Sequence, residues 1–166
     1  MLIRSFRLGD EVELHRVFHS SVHGLAAQDY LPEQLEAWAP DHPDMERWTH
    51  KMRSLQPFVA DDSGHLVGYA DLQSDGLIDH FYVAGGHARR GIGRLLMRTI
   101  LARAGELRLP RLWSDVSLTA RVFFEHFGFT LVQHRLVIIA GVELANVRME
   151  KSLLPTPPGL EVEHAG

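Results

Sequence analysis

Cysteine is absent from the chain, which excludes disulfides, thiolate metal ligands and a thiol nucleophile, so any covalent intermediate would have to form on another side chain. Long apolar runs are missing too. No stretch approaches the roughly 18 to 20 residues that a bilayer-crossing helix needs, and the N-terminal Met1-Leu2-Ile3-Arg4-Ser5 lacks the apolar core of a signal peptide. We therefore expect no membrane partner and a cytoplasmic location. Positive charge is not in surplus: 17 Lys plus Arg stand against 21 Asp plus Glu, a formal charge of -4, which argues against a nucleic-acid partner because a phosphate backbone demands a dense cationic surface. What is present, 166 residues of which 45% are hydrophobic and 23% charged, suits one globular domain with a single substantial core.

Hydrophobic periodicity gives the order of elements. Leu2 to Phe6 reads as a strand, then Asp10 and Glu13 stand at capping-box spacing before a helical stripe of Leu14, Val17, Phe18, Val22 and Leu25 that Gly24 is expected to end. Pro32 opens a short helix to Trp38, and Asp44 caps a third carrying Met45, Trp48 and Met52. From Phe58 the period changes to that of a hairpin, Phe58 to Ala60 and Leu66 to Leu72, around Asp61-Asp62-Ser63-Gly64. Leu77 to Val83 is bulky on both faces and reads as a central strand. A helix follows with Ile92, Leu96, Ile100, Ala104 and Leu107 on one stripe, then a strand from Leu112 to Val116. Ala120, Phe123, Phe124 and Phe127 line a helix that Gly128 stops, and Leu131–Ala140 and Val142–Lys151 close the domain as a hairpin around Gly141. The expectation is an α/β domain over residues 1–154, with a mixed, mostly antiparallel twisted sheet of about seven strands and helices on both faces, and a flexible tail over residues 155–166.

One segment carries chemistry. A strand running into closely spaced glycines and then a helix presents unpaired backbone N–H groups at the positive end of a helix dipole, which is an anion site. Here it is Ala88-Arg89-Arg90-Gly91-Ile92-Gly93, in which the glycines are expected to let a diphosphate approach the backbone while Arg89, Arg90 and Arg94 add positive charge. The dinucleotide fingerprint fails because Leu96 stands at the third glycine position, and no Gly-Lys-Ser/Thr of a Walker loop occurs.

The loop instead resembles the Q/R-x-x-G-x-G/A signature of the GNAT acetyltransferases, with Ala88 in place of the leading Gln or Arg. A second segment in register behind it, Ser117-Leu118-Thr119-Ala120-Arg121-Val122-Phe123-Phe124-Glu125-His126-Phe127-Gly128-Phe129, is similar to that family's Asn-x-x-Ala-x-x-Phe-Tyr-Glu-x-x-Gly-Phe. Ser117 replaces the Asn, and Phe124 replaces the Tyr that in many members protonates the departing CoA thiolate. The stretch from Val22-His23 through Asp29 to Pro40 resembles a bacterial branch of uncharacterised acetyltransferases.

The resemblance implies acetyl-CoA as cofactor. Its pantetheine would lie on backbone groups of Phe81, Tyr82 and Val83, its pyrophosphate on Ala88 to Arg94, and Ser117, Ala120, Phe123 and Phe124 would flank it. The implied reaction is direct attack of a primary amine, of a small molecule, within a ternary complex. The catalytic candidates are Asp79, His80 and Ser117; for the base, Asp79 and His80 lie beside the expected thioester, and strand alternation lets only one face the cleft. Asp79 shares the parity of Phe81 and Val83, while His80 also suits a buried histidine, and a water relay remains a third option. Tyr30, Gln34, Trp38 and His23 are candidates for the acceptor pocket, with Asp29, Glu33, Glu36, Asp41 and Asp44 drawing in a cationic amine. His15, His19 and His23 share a helix flank, but three on consecutive turns form a linear row without a carboxylate to complete a shell, so no metal is expected. The departures at Ala88, Ser117 and Phe124 keep a cofactor-binding sensor without turnover as an alternative, and acetylation of a protein N-terminus or lysine as another; a homodimer is left open.

Overall fold

The computed structural model describes residues 1–155, so the tail expected at the C-terminus lies, beyond Pro155, outside the described residues. Strand β1 (Leu2–Ser5) leads into helix α1 (Glu11–Leu25). The capping box expected at its start does not form. Asp10 takes the Arg4 guanidinium at 2.9 and 3.0 Å and the Arg7 N–H at 2.8 Å, and Glu13 accepts the Leu66 N–H at 2.9 Å. Both carboxylates fasten the helix to neighbouring chain instead of to its own first turn. The helix also runs past Gly24 by one residue, and Gly24 packs its Cα against Gly85, where any Cβ would stand 3.4 Å from the Gly85 Cα.

Helix α2 (Pro32–Trp38) begins at the expected proline, and α3 (Met45–Leu55) is capped as expected, Asp44 accepting the Arg47 N–H at 3.1 Å. The hairpin of β2 (Phe58–Asp62) and β3 (His65–Ala70) follows. Next come β4 (Phe81–Val83), α4 (Ile92–Glu106), β5 (Arg111–Ser117), α5 (Arg121–His126), and the long hairpin of β6 (Thr130–Ile139) and β7 (Val142–Ser152). Helix α5 ends in a Schellman motif: Gly128 at φ +84° lets its N–H reach the Glu125 carbonyl at 2.9 Å and that of Phe129 reach the Phe124 carbonyl at 3.1 Å. Ala140 and Gly141, both at positive φ (48° and 78°), make the two-residue turn that suits the twist of a hairpin.

The strands form two antiparallel sheets, ordered β1-β2-β3-β4 and β5-β7-β6. They meet at one parallel bridge between Leu77 and Trp113, where the Ile78 N–H bonds the Trp113 carbonyl at 2.9 Å and the Trp113 N–H bonds the Gly76 carbonyl at 3.0 Å. Gly76 sits at φ +87°, and a Cβ there would stand 2.2 Å from the Arg111 carbonyl oxygen, so only glycine fits this junction. The expected strand Leu77–Val83 is thus shorter than read. Its first residues turn through a bridge, and the Asp71 carboxylate accepts the His80 N–H at 2.6 Å before regular pairing starts at Phe81.

Beyond the bridge β4 and β5 diverge as the arms of a fork. Two apolar layers hold the arms. Leu14, Val22, Met52 and Tyr69 are fully or nearly fully buried between α1, α3 and the first sheet. Ile92, Leu96, Ile100, Leu112 and Met149 are equally buried under α4 on the opposite face. Each such side chain contributes roughly 1.5–3 kcal/mol of burial, so the open fork is held by packing on both sides.

Candidate active site

The gap of the fork is a cleft of about 1110 Å³, lined by β4, by the loop and first turn of α4, by the β5–α5 corner and by one edge of α1. Its β4 wall is unpaired backbone. The Asp71 N–H bonds the His80 carbonyl and the Ala84 N–H bonds the Val67 carbonyl, which fixes the even-numbered residues as those paired with β3. Alternation turns the N–H and C=O groups of Phe81 and Val83 toward the gap, where a neighbouring strand would have bonded them.

At one end of the gap Gly91 is the N-cap of α4 at φ +81°, a left-handed position that favours glycine, and it offers no side chain to cap the helix. The N–H groups of Ile92, Gly93 and Arg94 precede the first intrahelical bond, from the Leu95 N–H to the Gly91 carbonyl at 3.1 Å. Arg89, itself at φ +61°, Arg90 and Arg94 are exposed around them. Free donors, the helix dipole and three cations converge on one point, which is the chemistry that holds a diphosphate. Gly93 has a further role. Its missing Cβ would meet two ring carbons of Phe123 at 3.2 Å, so this glycine also makes room for an aromatic ring of the cleft wall.

On the other arm, Ser117 lines the cleft and its Oγ accepts the Ala120 N–H at 3.1 Å, capping the turn into α5. Ala120 and Phe123 line the gap with it, as do Tyr82, Ala88 and Trp38. Phe124 does not. It is 2% exposed and packs against Phe81, Phe123 and Phe129, beneath the wall, which corrects its place among the cofactor contacts.

The two base candidates stand just past the junction on the β4 arm, and the parity argument fails there because the chain is irregular before Phe81. Asp79 turns toward α3, pairing with Lys51 at 2.7 Å, instead of sharing the face of Phe81 and Val83. His80 is set among Phe18, Trp48 and Tyr82, with Nδ1 2.9 Å from the Tyr69 hydroxyl. Burial pushes its imidazole down to about 4, against a smaller opposing pull from Asp79. Burial likewise pushes the Asp71 carboxyl up to about 6, partly offset by the His80 N–H and the Gln73 amide that it accepts.

Three of the four acceptor candidates are committed elsewhere. The Tyr30 hydroxyl donates to the Ala145 carbonyl at 2.5 Å and accepts the Leu118 N–H at 3.0 Å. Gln34 accepts the Leu31 N–H and donates to the Glu143 carbonyl, and His23 bonds the Ala39 carbonyl at 2.7 Å. Only Trp38 lines the cleft. Sequence reasoning missed Tyr69 and Asp71, which hold His80, and the α1 residues Ser21 and Leu25 on the cleft wall. An apolar stripe marks a residue such as Leu25 as core whether or not a cavity opens beside it.

Residues 26–153 match the family described as Acetyltransferase (GNAT) domain. The chain is 32% identical over 147 residues to the uncharacterised N-acetyltransferase YafP of Escherichia coli, across 89% of this chain and 93% of that protein. The chain belongs to the GNAT acetyltransferase family. Its fold agrees with the crystal structure of a GCN5-related N-acetyltransferase from Rhodopseudomonas palustris at a TM-score of 0.87 and 32% identity, over 92% of this chain and 95% of that one. The structure of yncA from Salmonella typhimurium with acetyl-CoA matches at a TM-score of 0.67 and 18% identity, covering 94% and 95% of the two chains. The protein is therefore a GNAT-type N-acetyltransferase. Among the described residues no helix is long and apolar enough to cross a membrane.

Proposed function

We propose that this GNAT domain transfers an acetyl group from acetyl-CoA to a primary amine of a small molecule, within a ternary complex. The observation that carries the reading is the cleft itself. It joins a diphosphate-type anion site at the start of α4 to a stretch of unpaired β4 backbone at Phe81 and Val83. The residues fit the donor: exposed arginines and helix N–H groups suit its phosphates, free amide groups on β4 suit its pantetheine amides, and Ala120 and Phe123 suit its aliphatic segments. Bound acetyl-CoA supplies an activated thioester.

The chain's own residues then have three tasks. Backbone donors of β4 orient the carbonyl, the β4–β5 fork admits the amine, and a proton must leave the amine. We assign the last task to Asp79, directly or through water, because it is charged, solvent-accessible and adjacent to the fork. The half-buried His80, depressed to about 4, is a weak proton acceptor and instead positions β4 through Tyr69 and Asp71. With no thiol nucleophile in the chain, we take the amine to attack the thioester directly.

Following thiol release from acetyl-CoA across a panel of small amines tests this. Release matched by an acetylated amine supports it; tight acetyl-CoA binding with no release on any amine, peptides included, would favour the sensor reading. Asp79→Asn should lower the rate most at low pH, where the amine most needs a proton acceptor. A wild-type pH–rate profile in that variant would transfer the role to water alone.

A further inference from the structure

The sequence sets His19 and His23 aside as metal ligands for want of a carboxylate, and the fold supplies one. After α2 the chain turns at Pro40 and brings Asp41 back over α1, with its Oδ1 2.7 Å from His19 Nε2. His19 and His23, one helical turn apart, stack with ring centroids 4.2 Å apart. One donor atom from each of His19, His23 and Asp41 lies within 4.8 Å of the others. We propose that these three residues bind a divalent transition cation of the zinc type, at a site separate from the acetyl-transfer cleft.

Several features suit the ligand set to an ion. Two imidazoles and one carboxylate match zinc, nickel or cobalt and not the all-oxygen shells of magnesium or calcium. His23 Nε2 lies 2.7 Å from the Ala39 carbonyl, which can only accept, so Nε2 carries the proton and Nδ1 is left free to ligate. Asp41 is steadied from behind, its N–H bonding the Glu36 carboxylate at 3.0 Å. Donor atoms around a tetrahedral ion at about 2.0–2.1 Å stand about 3.3 Å apart, so small side-chain rotations close the cluster. A fourth position is left for water.

The ion also has a way in. His19 and Asp41 line a cavity of about 640 Å³ on the outer flank of α1, shared with His15, His65 and His87. The Asp41 side chain is 63% exposed and that of His19 is 32% exposed. His15 is not part of the cluster, since its ring meets the Trp48 face edge-on at 5.0 Å.

The test is calorimetric titration of tag-free protein with zinc chloride alone, alongside thermal melts with and without zinc. The site predicts one tightly bound equivalent, a higher melting temperature with zinc, and affinity reduced on the order of tenfold or more in each of His19→Ala, His23→Ala and Asp41→Asn. His134→Ala, removing an exposed histidine of β6, should change nothing. Should an alanine variant misfold, Asp41→Asn decides, because it alters an exposed side chain without changing its shape. Absence of stoichiometric binding, or binding that survives Asp41→Asn, would overturn the site and leave His19 and Asp41 as a simple charge-assisted hydrogen bond.

Discussion

The two sides of the fork are built on different principles. Along the α4 side the cleft is made of backbone: free N–H groups at Ile92, Gly93 and Arg94, a left-handed Gly91, and the open edge of β4. Opposite it the fork is braced from behind by side chains whose polar atoms are already engaged, Tyr30 on Ala145 and Leu118, Gln34 on Leu31 and Glu143, Thr119 on Asp29. A backbone site can hold a ligand while tolerating substitutions such as Ala88 and Ser117. A site of engaged side chains instead sets shape and rigidity. Substitutions should therefore act on stability on the second side and on donor affinity on the first.

The largest effect is expected at the junction that both sides share. Gly76→Ala should cost about 2–3 kcal/mol or more, since it combines a left-handed φ with a Cβ 2.2 Å from the Arg111 carbonyl. Urea denaturation measures it, and a neutral result would mean that the fork does not depend on this close approach.

The pH dependence of stability separates two neighbours behind the fork. His80 is held near 4 when folded against a usual 6.5, so between those values the unfolded chain binds its proton first and stability rises with pH. Asp71 acts oppositely: with a folded value of about 6 against 3.8, the folded chain holds the extra proton and stability falls as pH climbs through that window. Denaturation between pH 4 and 7 should show a flattened rise in His80→Gln and a steeper one in Asp71→Asn, in the same protein otherwise.

Tyr30→Phe removes a hydroxyl that serves two backbone groups and should cost about 1–2 kcal/mol while leaving acetyl-CoA affinity unchanged. A drop in affinity by calorimetry without loss of stability would move Tyr30 from scaffold to ligand site. Phe124→Tyr is the mildest change. The ring lies beneath the cleft wall, so acetyl-CoA affinity should stay the same and turnover should hold or rise; activity appearing only in this variant would show that the missing tyrosine matters.

How much was legible in the sequence follows the same division. Signals confined to a few consecutive residues were readable: the Asp44 cap, the proline that opens α2, the Gly128 stop and the glycine loop all stand where spacing put them. Signals that depend on distant partners were not. Asp79 lost its expected face because Asp71, from another segment, captures the His80 N–H and delays the strand. Gly93 was read for its effect on an anion alone, while it also makes room for Phe123, thirty residues on. Asp10 and Glu13 stood at cap spacing yet bond Arg4 and Leu66. Asp41 gave no sign that it returns over His19.

The central claim, that acetyl-CoA lies on the α4 side of the fork, is tested most directly by calorimetric titration of acetyl-CoA into the wild type and into Gly93→Leu, with circular dichroism to confirm folding. A side chain at Gly93 must displace Phe123 from the cleft wall, so the account predicts one-to-one binding in the wild type and affinity weakened on the order of tenfold or more in the folded variant. Equal affinity in the two proteins would contradict it and place the donor elsewhere.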